Sequence, residues 1–193
     1  ISFFTAMLES GGEVFIEQFD SYHKQTFRNR ALIATSNGVQ SLTIPVVKSE
    51  GGKMLMKDVR ISDHGEWRHL HWNALETAYM NSPFFIYYQD DLRPFYEKRY
   101  EFLLDFNMEL TQTIADLVGM KCSFKRTEEF VAEPMEVTDM RAAAIKGATI
   151  PMPEIKPYYQ VFAKKNGFLK DLSIVDLFFN MGPESILALK DRL

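Results

Sequence analysis

The chain has 193 residues, of which 46% are hydrophobic and 25% charged, and this balance predicts one folded domain over residues 1–193 rather than a disordered chain. Its formal net charge of −4 argues against a nucleic-acid partner, because phosphate contacts normally need a basic excess. The apolar runs are too short to cross a bilayer, no secretory leader is visible and a single cysteine excludes an internal disulfide, so we predict a cytoplasmic protein without a membrane span.

The first third of the chain predicts a small antiparallel sheet. A helix-like apolar segment at residues 1–8 has no starting methionine, so we expect further residues ahead of it. Strand-forming residues follow at 14–18, 31–34, 41–47 and 56–61. Asn37 and Gly38 tolerate the positive φ of a type I′ turn and predict a hairpin, and residues 49–53 supply a second turn. Pro45 cannot donate to a ladder, which places the end of its strand at an edge or a bulge.

A group of hydrogen-bond donors precedes the second predicted strand. Its members are Tyr22, His23, Lys24, Gln25, Arg28, Asn29 and Arg30. If the strand begins at residue 27, Arg28 and Arg30 share one face and Asn29 lies on the other. Two guanidinium groups on one face would clamp a carboxylate or a phosphate. The alternative is a solvated strand end whose charges have no task.

The remainder of the chain predicts mainly helices. Residues 67–79 have helical spacing, which points His69 and His71 about 200° apart and argues against a shared metal ion. We interpret the Asp90–Asp91 pair as the cap of a following helix that Pro94 interrupts and that continues to about residue 118; acid catalysis by the pair is the alternative. Cys122 is interpreted as a structural thiol rather than a nucleophile.

The C-terminal third begins with a predicted long loop. Residues 128–157 contain four prolines and few periodic apolar positions, and one helical turn is expected near residues 142–145. Ser173 and Asp176 form a capping-box pattern for a buried helix, which Asn180 and Gly182 end before a second helix. Backbone donors at that second helix start could hold an anion; the alternative is a packed corner without a ligand.

These patterns together predict an α+β fold, in which an N-terminal antiparallel sheet of hairpins over residues 14–61 is followed by a mainly helical half. The sequence contains no P-loop, no nucleotide-binding glycine fingerprint and no zinc-ligand spacing. It therefore identifies no cofactor and no metal, and it leaves the oligomeric state open.

Several segments together resemble the WbqC-like protein family: QTFRNRALI, LTIPV, WRHLHWNALETAY, SPFFIYY, YYQVF and LSIVDLFFNMGPES. Their order and spacing extend over nearly the whole chain. The resemblance implies a protein without an established mechanism, for which a glycine or other aminoacyl transferase role in bacterial O-antigen biosynthesis has been suggested. The chain departs from the family pattern in two places, since the Gln-Pro-rich opening segment is absent and the acidic match at Glu17 is imperfect.

The resemblance, together with the donor group, marks candidate substrate-binding residues: Tyr22, Lys24, Asn29, Arg30, Trp67, Tyr79, Arg141, Tyr159, Asn180 and Gly182. The cationic members and the Gly182 turn would accept an anionic small-molecule substrate, and the two aromatic residues Trp67 and Tyr159 would form apolar walls. No general base with a partner is evident.

Two functions remain open at this point. A transferase predicts a deep pocket on which Tyr22, Lys24, Arg30 and Arg141 converge. A non-catalytic module that binds a small molecule or a protein predicts that these groups are scattered beside a flat aromatic surface. The positions of the side chains distinguish the two.

Overall fold

The computed structural model describes residues 1–48, 53–135, 137–144 and 156–190. Within these ranges the chain forms helices and strands in the order α1 Ser2–Glu9, β1 Glu13–Ile16, β2 Arg30–Thr35, β3 Gly38–Thr43, α2 Trp67–Tyr79, α3 Phe85–Leu92, α4 Pro94–Glu97, α5 Leu103–Leu117, β4 Ser123–Arg126, α6 Ala163–Asn166, α7 Ile174–Met181 and α8 Ser185–Lys190. The prediction of a mixed helix and strand fold is confirmed. Among the described residues, no helix combines the length and the apolar character that a membrane crossing needs.

The strands of the described residues form two separate pairs. β1 and β4 are parallel, with Glu13 opposite Ser123. β2 and β3 form an antiparallel hairpin, with Arg30 opposite Thr43. The predicted continuous antiparallel sheet over residues 14–61 is therefore wrong. Composition identified β1 as a strand, but its partner comes late in the chain and no local pattern indicates that pairing.

The hairpin between β2 and β3 is confirmed, although its turn lies one residue earlier than predicted. Thr35 is paired with Gly38, so Ser36 and Asn37 form the turn. Gly38 has a φ of 98°, whereas Asn37 keeps a negative φ, and the type I′ turn is therefore wrong. The Thr35 hydroxyl accepts a hydrogen bond from the Asn37 N–H and donates one to the Gly38 carbonyl. These bonds stabilise the turn without a positive φ at Asn37.

Residues 56–61, predicted as a further strand, do not form one. Met56–Asp58 is a short 3-10 helix, and the residues after it make only isolated bridges, Ile61 with Val46 and Arg60 with Phe102. Met56 and Val59 are buried, which fits the three-residue spacing of a 3-10 helix. The predicted second turn, at residues 49–53, falls almost wholly outside the described residues.

The prediction for α2 is confirmed, whereas the prediction for the helices after it is not. α2 spans the predicted residues. Asp90 and Asp91 lie inside α3, near its end, so their interpretation as a cap is wrong. Pro94 occupies the first turn of α4, where its missing N–H costs nothing, and the chain is extended again at Phe102 before α5 begins. The predicted interrupted helix after Asp91 is thus two separate helices, α4 and α5.

The predicted long loop is described only in part. Residues 136 and 145–155 lie outside the described residues, and the rest forms no helix or strand apart from the 3-10 helix Arg141–Ala144. That short helix matches the predicted helical turn. Glu17 ties the start of the loop to β1, because its carboxylate accepts hydrogen bonds from the Thr127 hydroxyl at 3.0 Å and from the Val131 N–H at 2.9 Å.

The apolar side chains form a larger and a smaller cluster. The larger cluster joins α1, α2, α3, α5 and α7 to the β2–β3 hairpin, and Tyr79, Phe178 and Phe179 are nearly inaccessible within it. The smaller cluster is aromatic and centres on Trp67, Phe95, Tyr100 and Phe106. Tyr96 and Leu110 pack against both clusters. Both α2 and α5 contribute to each cluster, so these two helices connect them.

The corner between α7 and α8 is tightly packed. Gly182 has φ 55° and ψ −129°, and a Cβ at this position would lie 2.5 Å from the Phe84 ring. Only glycine fits such a position. Ser173 precedes α7 but makes no side-chain cap, and the Asp176 side chain points into the core instead, so the capping-box interpretation is wrong. The corner is therefore tightly packed at Gly182, and anion binding by the backbone donors after it stays a prediction.

Candidate functional site

The candidate residues do not gather in one place. Tyr22, Asn29 and Arg30 lie together at the start of β2, whereas Tyr79, Asn180 and Gly182 are buried in the larger cluster. Trp67 lies in the smaller aromatic cluster and Arg141 in the loop. Lys24 and Tyr159 are exposed. We name the group formed by Asp20, Tyr22, Arg28, Arg30 and Thr43 the β2 cluster.

Arg28 is the ion-paired cation of the β2 cluster. Its Nη2 pairs with the Asp20 carboxylate, and its Nη1 donates to the Ser21 carbonyl at 3.4 Å. The Asn107 amide donates to the Arg28 carbonyl at 2.7 Å, which ties this segment to α5. Because both members of the pair are largely buried, removal of one would leave the other uncompensated. Arg28 thus has a structural role in addition to its charge.

Arg30 differs from Arg28 in having no acidic partner. Its Nε donates to the Thr43 Oγ1 at 3.2 Å across the β2–β3 pair. Among the ion pairs that the described residues form, none includes Arg30. The two acids nearest in sequence are engaged elsewhere, because Asp20 pairs with Arg28 and Glu17 accepts from the loop. The half-buried Arg30 guanidinium therefore keeps nitrogens available for a ligand.

Tyr22 lies within electrostatic reach of both cations. Burial raises the pKa of the Tyr22 phenol, while the positive charges of Arg28 and Arg30 act in the opposite direction. The phenol stays protonated at neutral pH and can donate a hydrogen bond. A phenol O–H and two guanidinium groups within electrostatic reach of each other form a donor set suited to a carboxylate or phosphate group.

Asn29 holds the backbone between the two arginines. Its Nδ2 donates to the Ile44 carbonyl at 3.0 Å, and its own carbonyl accepts from the Ile44 N–H at 2.9 Å. The side chain is buried, and its Oδ1 has no hydrogen-bond partner within the described residues. Asn29 therefore positions Arg28 and Arg30 through the backbone rather than by presenting its amide to solvent.

Arg141 and Lys24 do not join the β2 cluster directly. Arg141 pairs with Asp139 through Nε and Nη2, and its Nη1 and Nη2 also donate to the carbonyls of Val131 and Ala132 at 2.7 and 2.9 Å. The hydrogen bond to Asp139 is the main cause of the raised pKa of Arg141, and the charges of Asp20 and Glu17 contribute. Arg141 is thus within electrostatic reach of the cluster, but all its nitrogens are engaged in the loop. Lys24 is exposed.

Trp67 is linked to the β2 cluster through His71. The two rings are T-shaped with centroids 5.1 Å apart, and both residues are buried. The His71 ring lies close enough to the backbone carbonyl of Thr43 for that carbonyl to act on the His71 pKa, and the Thr43 hydroxyl accepts from Arg30. Trp67 therefore forms part of the aromatic layer behind the cluster and does not present a stacking wall to solvent.

His71 makes the stability of the fold dependent on pH. Burial lowers the pKa of His71 from 6.5 to about 4. Below the unfolded pKa the unfolded chain binds a proton that the folded chain does not, so stability is lost as the pH falls through this window. Lowering the pH from about 7.5 to about 5 should reduce the His71 contribution to the free energy of unfolding by about 2 kcal/mol.

The measurement is urea unfolding at both pH values for the wild type and for His71→Gln, which keeps an amide donor for Thr43. The variant should lose most of this pH dependence. His69→Gln is the matched control, because His69 lies on the same helix with an exposed side chain, and it should follow the wild type. Equal pH dependence in all three proteins would contradict the assignment.

Tyr79 belongs to a buried hydrogen-bond network centred on Asp176. The Tyr79 hydroxyl donates to Asp176 Oδ1 at 2.8 Å, and the Tyr158 hydroxyl and the Gln160 Nε2 donate to Oδ2 at 2.5 and 3.0 Å. The Ala34 N–H in turn donates to the Tyr79 oxygen. The network joins α2, α7, β2 and the segment before α6. Since Asp176 is fully buried and accepts three hydrogen bonds, its role is structural.

Asn180 and Tyr159 also lie away from the β2 cluster. The Asn180 Nδ2 donates to the Asp176 carbonyl one turn earlier, and the side chain is buried with Oδ1 unpaired within the described residues. Tyr159 is 57% exposed and makes no contact with Trp67. Its neighbour Tyr158, which sequence reasoning passed over, reaches the core. Only the spatial position of Asp176 reveals which of the adjacent tyrosines is the structural one.

The described residues contain no group of three or more histidine, cysteine, aspartate or glutamate side chains arranged to hold a metal ion. Burial is the main cause of the raised pKa of the Cys122 thiol, and Asp116 adds to it, which makes the thiolate harder to form. The donors of the β2 cluster are of the kind that can bind and orient an anionic group.

Comparison with known proteins gives one family and one curated relative of significant similarity. The sequence profile of the WbqC-like protein family matches residues 1–149. The chain is similar to "Uncharacterized protein Rv1507c" of Mycobacterium tuberculosis (strain ATCC 25618 / H37Rv), with 27% identity over 192 residues that cover 85% of this chain and 81% of that protein. No solved structure matches the chain significantly.

Proposed function

The chain belongs to the WbqC-like protein family, and we propose that it is a transferase of bacterial surface-polysaccharide (O-antigen) biosynthesis that adds an aminoacyl group, such as glycine, or a related acyl group to an amino sugar. The proposal places this reaction in the cytoplasm, in keeping with the single cysteine. The family resemblance supports the reaction class, and the β2 cluster supports an anionic substrate.

The proposal of an anionic substrate rests on the guanidinium group of Arg30. Its guanidinium is half-buried beside Tyr22 and Arg28 and has no acidic partner within the described residues. Asp20 offsets the charge of Arg28, whereas the Arg30 charge has no such partner among the described residues and would be offset by a bound anion. A sugar nucleotide or an activated amino acid carries phosphate groups that would do so. Tyr22 adds a neutral donor at the same place.

The chemistry of the proposed step sets what the protein must supply. The nitrogen of the sugar amine attacks the carbonyl carbon of an activated ester or thioester, an N–C bond forms, the bond to the leaving group breaks, and the amine loses a proton. Binding and orientation of the two substrates can supply much of the acceleration, because the donor is already activated. In this proposal Arg30 and Tyr22 orient the anionic part of one substrate.

A non-catalytic binding module is the second candidate, and one observation favours it. Ile86 and Tyr87 on α3 are 66% and 72% exposed. These neighbouring side chains form an apolar surface of the kind that binds another molecule without a deep pocket. Both candidate functions include binding of another molecule, but only the transferase converts its substrate into a product.

Turnover is tested by incubating the protein with activated amino acids, acyl thioesters and nucleotide amino sugars, and by measuring the mass of the sugar. A transferase should give a sugar heavier by the aminoacyl or acyl group, and the product should disappear when Arg30→Lys replaces the wild type. Lys24→Ala is the control, since Lys24 is an exposed cation of the same segment. Saturable binding without any product would assign the protein to the binding-module class instead.

A further inference from the structure

The outer edge of β3 carries backbone hydrogen-bonding groups that the fold does not use. Within the described residues β2 and β3 pair as strands only with each other, so each of them has one outer edge. The Ile44 N–H donates to the Asn29 carbonyl at 2.9 Å, and this bond fixes which opposite residues exchange hydrogen bonds along the antiparallel pair. The residues that alternate with these turn their backbone groups outward: Leu32 and Ala34 on β2, and Val39, Ser41 and Thr43 on β3.

The outer edge of β2 is covered by the rest of the fold. The Ala34 N–H donates to the Tyr79 hydroxyl at 3.2 Å, and the Leu32 carbonyl accepts from the Ser173 N–H at 2.7 Å. Both bonds leave β2 on the side away from β3, which agrees with the alternation. The hairpin is therefore attached to the core along β2, and its free side is β3.

The outer edge of β3 is open at Val39 and Ser41, and we call these two residues the β3 edge. Both are exposed, and their backbone N–H and carbonyl groups have no hydrogen-bond partner within the described residues. At Thr43 the edge is closed, because the carbonyl of that residue lies close to the His71 ring. The β3 edge thus presents two donors and two acceptors in the arrangement that another strand would pair with.

The sequence of β3 lacks the features that normally keep an edge strand from pairing. Its residues, GVQSLT, include no charge and no proline, and its register with β2 is continuous from Gly38 to Thr43, without a bulge. In the other strand pair, by contrast, β4 carries Lys125 and Arg126. An uncharged, regular and exposed edge favours the addition of a further strand.

The strand that fits this edge best is β3 of a second copy of the chain. If two β3 strands pair antiparallel about Gln40, Val39 of each copy lies opposite Ser41 of the other, and both pairs can exchange their hydrogen bonds without the Thr43 carbonyl. Gln40 is exposed and lies opposite its own copy, where a charged residue would repel itself. An amide both donates and accepts, so two glutamines can satisfy each other.

The nearest charge on the hairpin does not oppose this pairing. Arg30 lies opposite Thr43 on β2, so the two Arg30 residues of the dimer would be on the two outermost strands. Three strand spacings of about 4.8 Å separate those strands, which gives about 14 Å. This separation exceeds the Debye length of about 8 Å at physiological ionic strength, so repulsion between the two guanidinium groups is screened.

We propose that the protein self-associates through the β3 edge, so that two hairpins form one four-stranded antiparallel sheet with the strand order β2–β3–β3–β2. A single strand edge buries less than the roughly 1,000 Å² of a stable interface, so the dimer is weak and forms at high protein concentration. The proposal does not depend on the transferase activity, because no residue of the β3 edge belongs to the β2 cluster.

The first measurement is sedimentation equilibrium of the wild type at concentrations from about 5 to about 500 µM, which cover a weak dimer. The mean mass should rise from that of one chain toward that of two. Gln40→Lys and Gln40→Glu each place like charges opposite each other and should stay monomeric, whereas an equimolar mixture of the two variants should dimerise because opposite charges then face each other. Gln25→Lys and Gln25→Glu are the matched controls, since they make the same changes at an exposed glutamine outside β3, and each should associate like the wild type.

Amide hydrogen exchange of the wild type locates the interface without any substitution. The N–H groups of Val39 and Ser41 should exchange fast in dilute protein and slowly at high concentration, because only the dimer gives them acceptors. The N–H groups of Gln40 and Leu42 point toward β2 and serve as internal references that are protected at both concentrations. Three results would overturn the proposal: one-chain mass at every concentration, association that survives in Gln40→Lys and in Gln40→Glu alone, or exchange at Val39 and Ser41 that does not slow as the protein associates.

Discussion

Asp176→Asn should destabilise the protein by about 3–5 kcal/mol, because it disrupts a buried charged network while leaving its volume unchanged. Both Asp176 oxygens accept hydrogen bonds, from Tyr79 on one side and from Tyr158 and Gln160 on the other. An asparagine must present an N–H₂ group to one of these sides, where the tyrosine oxygen already accepts a hydrogen bond, Tyr79 from the Ala34 N–H and Tyr158 from Gln160. At least one buried hydrogen bond is lost and a donor is left without an acceptor.

The measurement is the free energy of unfolding from urea denaturation at neutral pH. Asp90→Asn is the matched control, since it makes the same chemical change at an exposed position of α3, and it should stay within about 0.5 kcal/mol of the wild type. A loss below about 1 kcal/mol for Asp176→Asn would show that the network contributes little to stability and would contradict a structural role for the Tyr79 hydroxyl.

The same residue shows where sequence reasoning fails. Ser173 and Asp176 have the spacing of a capping box, and local chemistry alone favours that interpretation. In the fold, donors from α2 and from the segment before α6 reach the carboxylate, and the tertiary hydrogen bonds take precedence over the local one. These donors are far away in sequence, so no local pattern indicates them.

Secondary structure was predictable where the local signal agreed with the tertiary packing. The apolar residues within 67–79 recur with helical spacing, so this segment was predicted to be a helix. The structure contains α2 over the same residues. The hairpin of β2 and β3 was predictable from its turn residues. The pairing of β1 with β4 was not, because a parallel partner requires a long connection whose path depends on the whole core.

The candidate site was predictable in part. Tyr22, Arg28 and Arg30 are close in sequence, and the structure keeps them within electrostatic reach. What the sequence could not indicate is which of the two arginines pairs with Asp20, since that depends on how the chain before β2 folds back.

Arg30 is expected to control ligand binding while contributing little to stability. Its removal breaks one side-chain hydrogen bond, to Thr43, and no ion pair within the described residues, so Arg30→Ala should change the free energy of unfolding by about 1 kcal/mol at most. A charge-assisted hydrogen bond to an anionic ligand contributes about 1.5–3 kcal/mol, so binding should weaken by about tenfold to more than a hundredfold. Arg28→Ala differs, because it leaves the largely buried Asp20 unpaired and should destabilise the unliganded protein.

The most direct test of the anion-binding role of the β2 cluster is the melting temperature of Arg30→Ala, measured with and without the tightest ligand from a screen of activated amino acids, acyl thioesters and nucleotide sugars. A ligand that binds the folded state raises the melting temperature by an amount set by its affinity and concentration. The account predicts that the unliganded variant melts within a few degrees of the wild type and that its ligand-induced shift is much smaller than that of the wild type, whereas Lys24→Ala keeps the full shift. A large drop in the melting temperature of unliganded Arg30→Ala, or a ligand-induced shift equal to that of the wild type, would contradict it.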